Sequence, residues 1–167
     1  MKLQSTVELD DITVECAKAF DFEFDGNSTF DVPSLNAPPN FQIGLIVGPS
    51  GSGKSTLLGK FGQEKPIEWS PSRSICSHFS SAEVAMTRLG AVGLNSVPVW
   101  VKPYHVLSTG ERFRADLSRR LVDGAVIDEF TSVVDRNVAK SCSYATARYI
   151  RKAGLKNIVF ATCHYDI

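Results

Sequence analysis

Gly48-Pro49-Ser50-Gly51-Ser52-Gly53-Lys54-Ser55 constrains this chain more than any other stretch. It satisfies G-x-x-x-x-G-K-[ST] at every position, and the pattern has a physical reason. The glycines let consecutive backbone N–H groups converge on a phosphate without side chains in the way. A helix starting at Gly53 adds its positive end. Lys54 then neutralises the β- and γ-phosphates, and the Ser55 hydroxyl is the expected ligand for Mg²⁺. The flanks agree: residues 41–47, FQIGLIV, form a nearly all-apolar run suited to a strand buried on both faces. Lys54-Ser55-Thr56-Leu57-Leu58 reads as a helix start. The segment from Gly48 to Thr56 is therefore expected to hold a nucleoside triphosphate.

The rest of the chain is consistent with one globular domain. It has 167 residues, 43% apolar and 22% charged, which excludes collagen-like and disordered compositions. No apolar run approaches the ~18 residues of a membrane span. The first 25 residues are acidic and lack the apolar core of a signal peptide. Cys16, Cys76, Cys142 and Cys163 are far apart and make no C-x-x-C pair. They are expected to be reduced, mostly buried thiols of a cytoplasmic protein. The net charge is zero, with 18 basic and 18 acidic side chains. Residues 1–40 are acid-rich and residues 102–156 base-rich, a division that fits two solvated helix surfaces better than a polyanion site.

Alternation predicts short strands at 13–15 and 20–24, with Phe20, Phe22 and Phe24 on one face and a hairpin turn at Asp25-Gly26-Asn27. Further strands are expected at 41–47, 73–79, 125–130 and 157–162, and helices at 81–89, 109–121 and 135–152. Residues 91–106, with Gly93, Pro98 and Pro103, read as a loop or short edge element. Apolar strands separated by helical crossovers predict an α/β fold of the P-loop NTPase kind, a mostly parallel sheet covered by helices. Residues 1–40 are expected to be a small antiparallel β subdomain, 41–78 and 123–167 the P-loop core, and 79–122 a short helical region.

Ala125-Val126-Ile127-Asp128-Glu129 is an apolar strand ending in two carboxylates. Such a strand delivers its terminal acids to the carboxyl edge of a parallel sheet, where ligands bind. Asp128 is expected to hold Mg²⁺, and Glu129 to orient and deprotonate an attacking water.

These motifs resemble the ATP-binding cassette (ABC) ATPases. Leu107-Ser108-Thr109-Gly110-Glu111 is similar to that family's LSGGQ signature, and residues 126–135, VIDEFTSVVD, to its φφDEPTSxLD run. His164 follows the strand at 157–162, as the family's switch histidine does. The resemblance implies two such domains sandwiching two ATP molecules head to tail. Ser108, Thr109, Gly110 and Glu111 would face the γ-phosphate held by a partner's Lys54. His164 would bond the same phosphate in its own subunit, and Asp135 would work at the dimer contact. One of Phe20, Phe22 or Phe24 would stack on adenine, or all three belong to a core. Taken alone, Ser108 and Glu111 also make a good helix N-terminus.

The chain departs from the family at named places. Thr109 replaces the first signature glycine, and Phe130 the usual proline. No glutamine stands at the end of the strand near residue 78; His78 is its nearest occupant and could reach a metal-bound water. Residues 78–107 are short for a helical subdomain that grips a membrane partner, and the chain stops three residues after His164. The expected function is a Mg²⁺-dependent ATPase acting as an ATP-dependent homodimer, not as a transporter subunit. Residues 41–167 also resemble ABC ATPases joined to an acetyltransferase-like domain, so a fused or bound partner domain is a further expectation. The alternatives are a transporter's ATPase subunit, a nucleic-acid clamp supported by Arg112, Arg114, Arg119, Arg120, Arg148, Arg151 and Lys152, and a module that binds ATP without cleaving it.

Overall fold

Five consecutive buried residues, Ile158–Thr162, form the strand that organises most of the chain, β5. The computed structural model describes residues 2–35 and 38–167, in two units, 1–36 and 37–167. In the first unit, β1 (Lys2–Thr6) pairs antiparallel with β2 (Asn27–Asp31), Lys2 opposite Asp31 and Thr6 opposite Asn27. Between them lies helix α1 (Asp11–Ala19). It replaces the strand expected at 13–15, because Asp10 caps it by accepting the Thr13 N–H at 2.7 Å, with Asp11 in the first turn and Lys18 in the last.

The alternating phenylalanines do not form a strand either. Phe20 and Phe22 both donate their N–H to Ala17 O, closing the helix around Asp21 at φ 50°. Phe20 is 85% exposed, and Phe22 stacks on Phe24 at 6.0 Å. Asp25-Gly26-Asn27 is a turn as expected, with Asp25 Oδ1 accepting the Asn27 N–H. It leads, however, into a strand whose partner is β1, not residues 20–24.

The second unit contains β3 (Ile43–Val47), α2 (Lys54–Leu58), α3 (Ala82–Ala91), α4 (Val97–Trp100), α5 (Thr109–Arg120), β4 (Val126–Ile127) and α6 (Arg136–Ala153). Its three strands are parallel in the order β3-β5-β4, so the last strand in sequence lies between the other two. Side chains alternate across β5. Ile158 and Phe160 join Ile75, Leu89, Leu117, Ile127 and Ile150 in one core, which α3, α5 and α6 cover. Val159 and Ala161 join Leu58 and Val126 in a second core, on the α2 side. Each fully buried aliphatic side chain contributes about 1.5–3 kcal/mol.

The parallel α/β architecture and the helices at 81–89, 109–121 and 135–152 are as expected, within a residue or two. The strand expected at 73–79 is instead a one-turn 3₁₀ helix, Ile75–His78. Its polar side chains satisfy the backbone locally: Ser70 N–H donates to His78 Nε2 at 3.0 Å, and Ser74 O lies 2.9 Å from His78 Nδ1. Strand β3 is at the sheet edge rather than buried on both faces, with Leu45 48% and Val47 37% exposed. The thiols are less buried than expected: Cys142 is inside, where burial pushes it up to about 11, but Cys16 and Cys163 are exposed. Among the described residues no helix is long and apolar enough to cross a membrane.

The end of α5 is tied to α3 by one side chain. Arg88 donates through Nε to Ser118 O at 2.8 Å and through Nη2 to Leu121 O at 2.7 Å, satisfying carbonyls that the helix leaves open. Arg88→Met should lower unfolding free energy by about 1–3 kcal/mol in urea denaturation. An unchanged midpoint would mean that solvent serves those carbonyls equally well.

Candidate functional site

The site begins where β3 ends. Gly48 N–H donates to Thr162 O at 3.3 Å, carrying the ladder one step past the strand. A Cβ on Gly48 would stand 2.6 Å from Ser52 Oγ, so the loop folds back closely enough that a side chain there would displace the Ser52 hydroxyl. Gly51 at φ 75° and Gly53 at φ 80° take left-handed conformations that glycine adopts without strain. Lys54 Nζ donates to Pro49 O at 2.7 Å, spanning the loop it belongs to. Helix α2 has only five residues, so its dipole adds less than the sequence suggested.

Two strands away, β4 ends at Ile127, which is level with Phe160 of β5. At the usual strand spacing, Asp128 and the phosphate loop are separated by roughly 10 Å along the same carboxyl edge. Asp128 is half-buried, and its Oδ1 accepts the Glu129 N–H at 2.8 Å; Glu129 is exposed. The backbone then turns sharply, with Glu129 at φ 47° and Thr131 at φ 66°. Left-handed backbone at a β-branched residue is an outlier, and such strain costs roughly 1–3 kcal/mol per residue. Phe130 holds the turn in place. It is 3% exposed, its ring lies 4.5 Å from that of Phe160, and its N–H donates to Ala161 O at 2.8 Å. Proline has no N–H for that bond, which gives the departure at Phe130 a structural role.

His164 reaches the same turn from β5. Its Nδ1 lies 3.0 Å from Thr131 Oγ1, and its N–H donates to Thr162 Oγ1 at 3.1 Å. Asp135 caps α6, its Oδ1 accepting from the N–H groups of Asn137 at 3.0 Å and Val138 at 3.1 Å.

Ser108 caps α5 in a reciprocal box. Its Oγ accepts the Glu111 N–H at 3.4 Å, while Glu111 Oε2 accepts from Ser108 N at 2.8 Å and Ser108 Oγ at 2.9 Å. The N–H groups of Thr109 and Gly110 meet no acceptor among the described residues and point along the helix axis. Gly110 packs closely here: a Cβ there would stand 3.1 Å from Val134 Cγ1, which would have to give by a few tenths of an ångström. Thr109, Asp128 and Glu129 line one open groove of about 520 Å³.

The structure thus brings Lys54, Asp128, Glu129, His164 and the α5 N-terminus to one end of the sheet. His78 is not available to a metal-bound water in this arrangement, since both of its ring nitrogens face backbone partners. Sequence reading missed Glu64, Asp116 and Thr131. Glu64 lines the groove beside Asp128 and pairs with Arg120 at 2.6 Å. Burial raises its carboxyl above the ordinary value, Arg120 opposes that, and Asp128 adds to it. Asp116 takes the Trp69 Nε1–H at 2.7 Å and the Tyr104 O–H at 2.8 Å. Burial, followed by that bond, pushes the Tyr104 hydroxyl up to about 12. Glu64 and Asp116 match no motif, and Thr131 lies within the run 126–135 with no role that its position in the sequence announces.

No family model and no curated protein matches the chain. Among solved structures, it is similar to cbiO1 from Clostridium perfringens, part of the ABC transporter complex cbiONQ. The identity is 20% and the TM-score 0.49, over 75% of this chain and 68% of that one.

The capping box carries its own pH signature. The Ser108 backbone N–H first, then its hydroxyl, hold the Glu111 carboxyl below its ordinary value of 4.5. A depressed folded-state pKa gives stability that is present above 4.5 and lost as pH falls through the folded value. Glu111→Gln should therefore lower the urea midpoint at pH 7, with the difference shrinking as pH falls below 4. A difference that stays constant with pH would remove the charge from the cap.

Proposed function

We propose that this chain binds Mg-ATP and hydrolyses it as an ABC-type ATPase, with closure of two copies completing each site. One observation carries the reading: a complete phosphate loop leaves β3 on the sheet edge where Asp128, Glu129 and His164 also emerge, with β5 fixing their spacing. Oxygen donors suit Mg²⁺, which takes few protein ligands and keeps waters and phosphate oxygens. The Ser55 hydroxyl and the Asp128 carboxylate would hold it, beside the glycine-rich loop 48–53 that would receive the phosphates. When bound, the ion supplies charge neutralisation at the phosphate oxygens.

The chain's own groups supply the rest. Lys54 exchanges its bond to Pro49 O for the β- and γ-phosphates. The exposed Glu129 orients water against the γ-phosphate and accepts its proton. His164, pinned to Thr131 and Thr162, bonds the same phosphate. The signature contributes from the partner copy. The Ser108 hydroxyl is committed to Glu111, so the open N–H groups of Thr109 and Gly110 are its phosphate donors. Neither half-site alone surrounds the transferring phosphate, so closure both excludes water and completes the electrostatic cage. Asp135, at the start of α6, is the corresponding contact between the copies.

Two measurements test this. Lys54→Ala should abolish ATP binding in equilibrium titration; unchanged affinity would sink the phosphate-loop assignment. Glu129→Gln should keep binding, lose about a hundredfold or more in turnover, and shift from monomer to dimer by light scattering only with Mg-ATP. Parental turnover in that variant would move the base elsewhere. A protein that binds ATP and stays monomeric would remove the sandwich.

A further inference from the structure

Thr131 is fully buried in a left-handed turn, and its hydroxyl has a single proton to give. Two groups lie within reach of it: Phe130 O at 2.6 Å and His164 Nδ1 at 3.0 Å. The carbonyl can only accept. It belongs to a residue 3% exposed, and no other described group donates to it. A buried carbonyl left without a donor is costly, so the hydroxyl proton goes to Phe130 O. What the hydroxyl then offers His164 is a lone pair, and a bond to that lone pair requires N–H on Nδ1.

We propose that Thr131 is a positioning residue that fixes neutral His164 as the Nδ1–H tautomer, leaving Nε2 as the ring's acceptor. The backbone strain at Thr131 is part of the same device, because the left-handed turn brings its hydroxyl to both partners at once. The backbone on which the ring sits is fixed by the His164 main-chain N–H, which Thr162 Oγ1 accepts, on the strand whose carbonyl also holds Gly48 of the phosphate loop. Its consequence for turnover, though not the tautomer itself, rests on the reading of His164 given above. As a neutral ring, His164 presents only an acceptor at Nε2, so its bond to a phosphate oxygen requires Nε2 to be protonated as well, the imidazolium keeping its Nδ1–H on Thr131.

The test is a two-bond ¹H–¹⁵N correlation spectrum of the full chain with labelled histidine, at about pH 8.5, where an ordinary imidazole is neutral. His164→Gln assigns the signals. The wild type should show a protonated Nδ1 and an unprotonated Nε2; an Nε2–H ring would overturn the proposal. Thr131→Val keeps the shape, removes the hydroxyl and should release the preference, whereas Thr131→Ser should retain it. A valine variant with an unchanged Nδ1–H ring would also overturn it. Should that variant fail to fold, the wild-type and serine spectra still decide. In turnover, Thr131→Val should lose about tenfold or more in kcat with KM for Mg-ATP nearly unchanged, the usual scale for a histidine's orienting partner. Thr131→Ser should stay within about threefold of the parent. A valine variant that loses the tautomer but keeps parental kcat leaves the role of Thr131 standing and removes His164 from the reaction.

Discussion

Everything at the candidate site is referenced to β5. The strand pairs on both sides within the sheet, and its carbonyls continue the ladder where its neighbours end: Thr162 O takes Gly48 N–H, and Ala161 O takes Phe130 N–H. Those two bonds set the phosphate loop and the acidic turn against a common ruler. The strand can serve this way because both of its faces are buried, in two separate cores. Sliding it by one residue would exchange Phe160 and Ile158 with Val159 and Ala161, placing large side chains where small ones fit. The packing that stabilises the fold therefore also fixes the spacing of the site.

The turn after β4 shows the opposite use of free energy. Glu129 and Thr131 both occupy left-handed backbone, which a relaxed loop would avoid. Between them Phe130 is driven into the core and its N–H into the sheet, so the strain is outweighed by burial and cannot relax without extracting an aromatic ring. The result is a rigid platform on which Asp128 faces the sheet edge, Glu129 faces solvent and Thr131 faces His164.

The larger unit was legible where signals were strong and local. The phosphate loop, the Ser108 cap, the apolar strand before Asp128 and the three longer helices each announce themselves through spacing or capping chemistry. The failures have local causes too. At 73–79 the apolar residues suggested a strand, but Ser70, Ser74 and His78 satisfy the backbone within the segment and close it into a turn. At 13–15 the alternation was too short to weigh against Asp10, a cap residue that signals a helix. The three phenylalanines alternate in sequence without sharing a pleat, because residues 20–22 close helix α1. The roles of Glu64, Asp116 and Thr131 were invisible because each is defined by a partner more than ten residues away, which no pattern along one chain encodes.

Helix α5 joins these parts into one mechanical element. Asp116 fastens its middle to Trp69 and Tyr104, whose rings stack at 5.1 Å, and Arg119 lies over the Trp69 ring at 4.7 Å. Arg88 fastens its C-terminal end, and Arg120 links it through Glu64 to the neighbourhood of Asp128. At the N-terminal end, Gly110 faces Val134, whose Cγ1 would stand 3.1 Å from a Cβ there and would have to shift to admit one. Side-chain bonds thus hold the helix at its middle and at its C-terminal end.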